Sequence, residues 1–412
     1  MLVFANPLFF CAPPRRLTGP ARLVPSLGGK VDVFRSFRTR QCSRMSTQVQ
    51  QGRPTLRRKI LAVHRWLSLG AAIFWLLQAV TGILIVFHWE IADASLSTLH
   101  RPTDLAAIER RIDTLVPTGT GAKASAIWTS AGLPDRYDLY FDDGAGNSRS
   151  VRIAGDGAII DTPREDETRI MSVLVGFHHD LLGAWGSWIV SISGLLLCSN
   201  LLLGLIAAWP RRGTWRAALL PIRKGPAAAR LYSWHRAVGL WAVLPAFAIA
   251  ATGTMLKFEQ GVGTLVGAEE VSLPANPPAG PPVGFAAAAG AALAALPGSN
   301  LTNVTWPEGE DATYRILVRA PGEIRRAYGG SIVFVDANDG TLRGVWPIAD
   351  APPARAFMSA LFPIHTGEAG GLIGRLLSIA IGVWLITMIV AGLLLWLRRR
   401  RPVARAREGR SA

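Results

Sequence analysis

Two histidine-containing stretches contain residues that could do chemistry. His64 lies in the sequence VHRWLSLG and His235 in WHRAVGLW, and a long apolar run follows each of them. The shift that superimposes His64 on His235 also superimposes Gly82 on Gly253. The pattern H-R…T-G therefore occurs twice, which indicates an internal duplication.

A second pair of histidines is related by its own, larger shift. Superimposing His178 in FHHDLLG on His365 in IHTGEAG also places Trp209 on Trp396. His178 and His365 thus precede their tryptophans by equal intervals, which favours His178 over its neighbour His179 as the functional residue. His179 remains the alternative.

Paired imidazoles on separate helices could bind an iron porphyrin. If the two halves are parallel repeats about an axis along the membrane normal, His64 faces His235 on one side of the membrane and His178 faces His365 on the other. One ring nitrogen from each of two helices can hold haem iron axially. Zinc needs about four ligands, and neither layer supplies a Cys or Glu. Each histidine could instead simply anchor a helix end.

The composition is that of a membrane protein. Of 412 residues, 50% are hydrophobic and only 17% are charged, and the mean hydropathy is +0.28. Four apolar runs exceed the roughly 20 residues needed to cross a bilayer. The net charge of +16 is concentrated beside these runs with no interleaved aromatic residues, which argues against nucleic acid as a partner and for the lipid bilayer. By the positive-inside rule both termini are cytoplasmic.

Two long loops outside the membrane each show the pattern of a small α+β module. The first contains LAAIERRIDTLV followed by strand-like RYDLYF and SRSVRIAGDGAIID, and the second contains FAAAAGAALAAL followed by YRILVR and SIVFVDANDGTLRGV. The predicted fold is therefore an all-α membrane core of four transmembrane helices, arranged as two parallel repeats, with two small α+β modules outside.

The predicted boundaries follow the alternation of apolar and polar segments. They are a disordered basic tail (1–56), transmembrane helix 1 (57–90), outer module 1 (91–180), transmembrane helix 2 (181–210), a cytoplasmic link (211–234), transmembrane helix 3 (235–258), outer module 2 (259–368), transmembrane helix 4 (369–398) and a basic cytoplasmic tail (399–412).

Four further residues are predicted near the outer surface from their position alone. His88, His179, Trp185 and Arg375 lie at or near the outer ends of the apolar runs, where a substrate could reach them. His88 could equally be an interfacial residue whose polar tip reaches water.

These ordered motifs resemble the PepSY-associated transmembrane family over about residues 61–401. They are H-R-W…T-G, F-H…G with W-P-R-R, a second W-H-R…T-G, and I-H-T-G…G-R with a terminal W-L-R-R-R. The resemblance implies PepSY-like periplasmic modules and a bacterial inner-membrane location linked to iron uptake. The doubled histidine at 178 and 179, His88 and the N-terminal tail have no place in the family pattern.

The resemblance also implies an activity. Some similar proteins are ferric-siderophore reductases with two haem b groups, whose ligands would fall on His64, His235, His178 and His365. The expected substrate is then a periplasmic ferric siderophore or other Fe(III) chelate. The electron donor would be a cytoplasmic reductase or a quinol, because no G-x-G-x-x-G opens a helix for a nicotinamide or flavin.

Two other functions are consistent with parts of the pattern. A non-enzymatic PepSY membrane protein would bind a peptide or protein partner with its outer modules and use the histidines only as anchors. A permease would need carboxylates or broken helices at mid-membrane, and the four runs show neither convincingly.

Overall fold

The computed structural model describes residues 56–96, 100–162, 170–222, 224–268, 271–325 and 328–408. The basic tail predicted over 1–56 lies outside these ranges, apart from its last residue. In chain order the α-helices are α1 (Leu56–Ile85), α2 (His88–Leu96), α3 (Leu105–Leu115), α4 (Ile170–Asp180), α5 (Ala184–Ala208), α6 (Trp215–Leu219), α7 (Ala227–Lys257), α8 (Glu259–Val266), α9 (Phe285–Ala295), α10 (Pro353–Thr366) and α11 (Gly371–Glu408). The strands are β1 (Lys123–Thr129), β2 (Arg136–Asp142), β3 (Ser148–Ala154), β4 (Ile159–Asp161), β5 (Asn300–Thr305), β6 (Thr313–Arg319), β7 (Ser331–Asp336) and β8 (Leu342–Trp346).

Four helices, α1, α5, α7 and α11, are long and apolar enough to cross a membrane. The shortest, α5, has 25 residues and is about 37 Å long, which exceeds the ~30 Å hydrocarbon thickness of a bilayer. Large apolar side chains such as Ile73, Leu244 and Ile373 are exposed on these helices, as expected for surfaces that contact lipid. The four predicted apolar runs therefore form four membrane helices.

The membrane helices pack as a four-cornered bundle. Both α1 and α7 contact α5 and α11, which places α1 and α7 at opposite corners. The middle of the bundle is apolar and is built around Leu201, Val243 and Ala246. The indole of Trp384 packs there and donates a hydrogen bond to the Val238 carbonyl over 2.9 Å.

The strands of both loops form one antiparallel sheet of eight strands. Its order is β4-β3-β2-β1-β5-β6-β7-β8, so β1 of the first loop pairs with β5 of the second. The loop patterns predict two separate small modules, whereas the structure joins their strands through this pair. Pairing β1 with β5 satisfies backbone groups that would otherwise lie on two open sheet edges.

The two faces of the sheet have different surroundings. On one face, alternate apolar residues such as Leu139 and Ile316 pack against α3 and α9 in a continuous core. The other face carries the intervening residues, among them Trp128, Arg152 and Arg315, and faces α2, α8 and α10 across a cavity. The sheet therefore lies beyond one end of the membrane bundle, and this end is called the sheet side below.

Candidate functional site

His178 and His365 form the sheet-side pair. His178 lies on α4, which packs against α1, and His365 lies on α10, which packs against α7. Each ring approaches a glycine: a Cβ added to Gly82 would lie 3.0 Å from Cε1 of His178, and one added to Gly253 would lie closer still to Cε1 of His365. Glycine allows each imidazole to lie directly against the helix backbone.

Hydrogen bonds fix the orientation of both sheet-side imidazoles. Nδ1 of His365 donates to the Ile249 carbonyl over 2.9 Å. Nδ1 of His178 lies 3.0 Å from the Thr81 hydroxyl, which uses its own proton to bond the Leu77 carbonyl. Nδ1 therefore carries the proton in both rings, and the Nε2 lone pair is free to bind a metal.

Burial favours the neutral form of both sheet-side imidazoles. Burial lowers the pKa of His178 to about 3, and the positive charges that His365 and His179 would carry when protonated lower it further. Burial also lowers the pKa of His365. These are the protonation states that metal binding requires, because a protonated imidazole has no lone pair to donate.

His64 and His235 form the far pair, at the opposite end of the bundle. His64 on α1 lies against Gly204 of α5, where an added Cβ would be 3.1 Å from Cε1 of the ring. Its Nδ1 donates to the Asn200 carbonyl over 3.1 Å. The Asn200 side chain in turn donates to the Ser68 hydroxyl over 2.9 Å, which ties this turn of α5 to α1.

His235 is held less tightly than His64. It lies on α7 near Gly392 of α11, where an added Cβ would be 3.7 Å from Cε1 of the ring, an ordinary contact distance. Within the described residues, its buried Nδ1 has no hydrogen-bond partner. His64 and His235 lie on helices at opposite corners of the bundle.

The two pairs are separated by most of the membrane thickness. The interval from His64 to Gly82 along α1 equals the interval from His235 to Gly253 along α7. At about 1.5 Å per residue, each interval spans about 27 Å. Gly82 and Gly253 are separated by the same number of residues as His64 and His235, so the glycines belong to the same repeated pattern.

The remaining predicted site residues lie in different surroundings on the sheet side. His179 is exposed and lies near His365 and Lys257. His88 bonds the Ile85 carbonyl over 2.5 Å, and its ring lies 4.8 Å from that of Trp89. Trp185 is 85% exposed at the start of α5.

Arg375 forms an ion pair and packs against an aromatic ring on the sheet side. Its side chain is buried and donates to the Glu90 carboxylate over 2.5 and 2.8 Å. The guanidinium also bonds the Val86 carbonyl and lies 4.0 Å from the centre of the Phe87 ring. These contacts connect α11 to the segment that follows α1.

Sequence reasoning missed a cavity of about 700 Å³ on the sheet side, here called the sheet-side cavity. Trp89 of α2 and Met358 of α10 line it, together with arginines that include Arg152 of β3 and Arg315 of β6. Both strand arginines alternate with apolar neighbours in SVRIA and YRILV, and this period-two pattern places them on one sheet face. That pattern was the available signal. It could not show that the two loops share one sheet.

The arrangement offers two layers of paired imidazoles on a membrane bundle, with a polar cavity beyond one layer. Among the described residues, no cluster of three or more His, Cys, Asp or Glu side chains could hold a metal ion.

Comparison with known proteins identifies the family. No curated protein matches the chain. The profile of the PepSY-associated TM region matches residues 61–399, which is more than three quarters of the sequence and includes all four paired histidines. The chain therefore belongs to the PepSY-associated transmembrane family.

Proposed function

We propose that this protein carries electrons through two haem b groups across a bacterial inner membrane and reduces Fe(III) chelates on the outer side. One observation carries the proposal: four histidines form two layers about 27 Å apart, and each ring faces a glycine of a neighbouring helix.

The imidazoles of each layer are of the residue type that would hold a haem. Three of the four imidazoles have Nδ1 bonded to the protein, which leaves Nε2 available for iron. The glycines let each imidazole lie close to the backbone of a neighbouring helix. His178 and His365 would hold one group, and His64 and His235 the other.

Each residue set has a separate task in electron transfer. Bound haem would supply reversible one-electron chemistry at iron. The histidines would hold the two haems, and apolar side chains fill the bundle between the two layers. A quinol or reduced cytoplasmic reductase would give up one electron for each Fe(III) reduced to Fe(II). A quinol would thus reduce two chelates and release two protons.

The distribution of basic residues supports the proposed orientation. Arg211, Arg212 and Arg216 follow α5 at the far end of the bundle, opposite the sheet. The positive-inside rule then places the far pair and both termini on the cytoplasmic side and the sheet in the periplasm. In this orientation, electrons enter at the far pair and leave at the sheet-side pair.

The deciding experiment is a dithionite-reduced minus air-oxidised absorbance spectrum of the purified protein in detergent, with haem measured per chain. We expect two b-type haems per chain and reoxidation of the reduced protein by Fe(III) citrate. Protein without haem, purified from cells supplied with a haem precursor, would refute the proposal and favour a partner-binding PepSY protein.

A further inference from the structure

The sheet-side cavity lies between the sheet and the outer ends of the membrane helices. Its volume of about 700 Å³ is within the range of pockets that enclose a small ligand. One wall is the sheet face that carries Trp128 and Leu317, and the opposite wall contains Met358 and Ser359 of α10. A ligand there would contact both loops and the helix that carries His365.

The lining of the cavity has an excess of positive charge. It contains two carboxylates, Asp138 and Glu259, and four arginines: Arg152, Arg315, Arg325 and Arg355. Arg152 donates hydrogen bonds of 2.7 and 3.1 Å to the Asp138 carboxylate, so the charges of these two residues cancel. Arg325 and Arg355 line the cavity together with the second carboxylate, Glu259.

Two of these arginines are partly buried in the cavity wall. Burial lowers the pKa of Arg325, and in the described structure its Nε has no hydrogen-bond partner. Burial and the nearby positive charge of Arg315 lower the pKa of Arg355. Glu323 offsets part of this repulsion, but it is also hydrogen bonded to the Gly330 amide and the Ser331 hydroxyl. A ligand with anionic oxygens would stabilise both arginines.

Aromatic rings connect the cavity with the sheet-side pair. The ring of Trp128 lies 5.3 Å from that of Tyr328, which lies 6.1 Å from that of Trp89. Trp89 in turn lies 6.2 Å from Phe362, which is one helical turn before His365 on α10. The spacing of Met358, Phe362 and His365 places all three on one face of that helix.

We infer that the sheet-side cavity binds the Fe(III) substrate as an anionic chelate whose ligand presents carboxylate or phenolate oxygens. The inference rests on the proposed function and specifies its substrate class. Arg325 and Arg355 bind the anionic oxygens of the chelate, and the aromatic wall holds it over the helix that carries His365. The haem that His178 and His365 would hold would supply the single electron to the bound Fe(III), and Fe(II) would be released because hard oxygen ligands hold it less tightly.

Binding of a redox-inert chelate tests the inference without electron transfer. Gallium(III) citrate is titrated calorimetrically into the purified full-length protein in detergent, alongside citrate alone and the cationic gallium complex of desferrioxamine B. The variant Arg325→Gln/Arg355→Gln is compared with Arg110→Gln, which removes an exposed arginine of α3 outside the cavity. Arg325→Gln alone serves as a second variant if the double variant fails to fold.

We expect the wild type and Arg110→Gln to bind gallium citrate equally well. The double variant should bind it at least about tenfold more weakly, because two charge-assisted interactions are lost. Equal affinity of the double variant would overturn the inference. So would equal or tighter binding of the cationic complex or of citrate alone.

The two proposals can fail separately. Haem content and the reduced-minus-oxidised spectrum decide the electron-transfer function, and gallium binding decides the cavity. Two haems without arginine-dependent gallium binding would refute only the cavity assignment. Arginine-dependent gallium binding to protein that lacks haem would refute only the electron-transfer proposal.

Discussion

The sheet-side and far pairs both consist of histidines, but the hydrogen bonds and glycine contacts of their rings differ. On the sheet side, both imidazoles are hydrogen bonded through Nδ1. Each also lies against a glycine, where an added Cβ would be 3.0 Å or less from Cε1 of the ring. In the far pair, His64 has both features, whereas His235 has a looser contact with Gly392 and an Nδ1 that no described residue bonds. Matched sequence positions therefore need not give matched ligand environments.

The difference has a local cause. The sheet-side histidines lie on short helices, α4 and α10, that pack against α1 and α7 at equivalent turns. The far histidines lie within the membrane helices themselves, so their partners depend on the neighbouring helix. Asn200 ties α5 to α1 beside His64, and its backbone carbonyl accepts from Nδ1 of that ring, whereas no described residue accepts from Nδ1 of His235. The sheet-side pair should therefore tolerate substitution less well.

The largest expected effect is loss of one haem from His178→Ala. The structure orients His178 against Gly82 and Thr81, whereas its neighbour His179 is exposed. We expect haem to fall from two to one per chain in His178→Ala and to stay at two in His179→Ala. Haem quantification after purification measures both, and the reverse result would reassign the ligand to His179.

The next largest effect is a difference in haem occupancy between glycine substitutions beside the two pairs. Gly253→Ala places a Cβ less than 3.0 Å from Cε1 of His365, a ring held in place by the Ile249 carbonyl, so the ring must shift. Overpacking of this kind costs about 1–3 kcal/mol. Gly392→Ala makes only an ordinary contact with His235. We expect substoichiometric haem in the first variant and full occupancy in the second; equal occupancy would contradict the difference drawn between the pairs.

A smaller effect is expected from the hydroxyl beside His178. Thr81→Val removes the group bonded to Nδ1 of His178, whereas Thr252→Val removes a hydroxyl bonded to the carbonyls of Ala248 and Ile249 in its own helix. Loss of a ligand's hydrogen-bond partner typically weakens metal binding by about tenfold or more. Transfer of haem to apomyoglobin should be faster for Thr81→Val than for Thr252→Val. Indistinguishable rates would show that the hydroxyl does not orient His178.

The smallest expected effect on haem is that of Arg375→Gln. This change breaks the ion pair with Glu90, which is partly exposed, so the loss of stability should be moderate. We expect thermal unfolding a few degrees lower, with both haems retained and gallium citrate affinity unchanged. Weaker gallium citrate binding with unchanged thermal stability would instead support the prediction, made from its sequence position, that Arg375 contacts the substrate.

The amino-acid sequence by itself determined the four candidate membrane helices and the family. These depend on properties that can be read along the chain: apolar run length, basic flanks, and ordered motifs. The pairing of the histidines and the choice of His178 over His179 also came from spacing, and both stay predictions. Whether these histidines bind haem stays a prediction.

Only the tertiary structure decided what surrounds those residues. The pairing of β1 with β5 joins strands from two loops that are separated by membrane helices α5 and α7, and no local pattern specifies that contact. The same pairing places Arg152 and Arg315 on one sheet face over α10 and so creates the sheet-side cavity. Likewise, the glycines at 82, 204, 253 and 392 could be read as plain packing positions until the fold placed a histidine ring against each. Such contacts depend on how distant segments pack, and the period of a single segment does not contain that information.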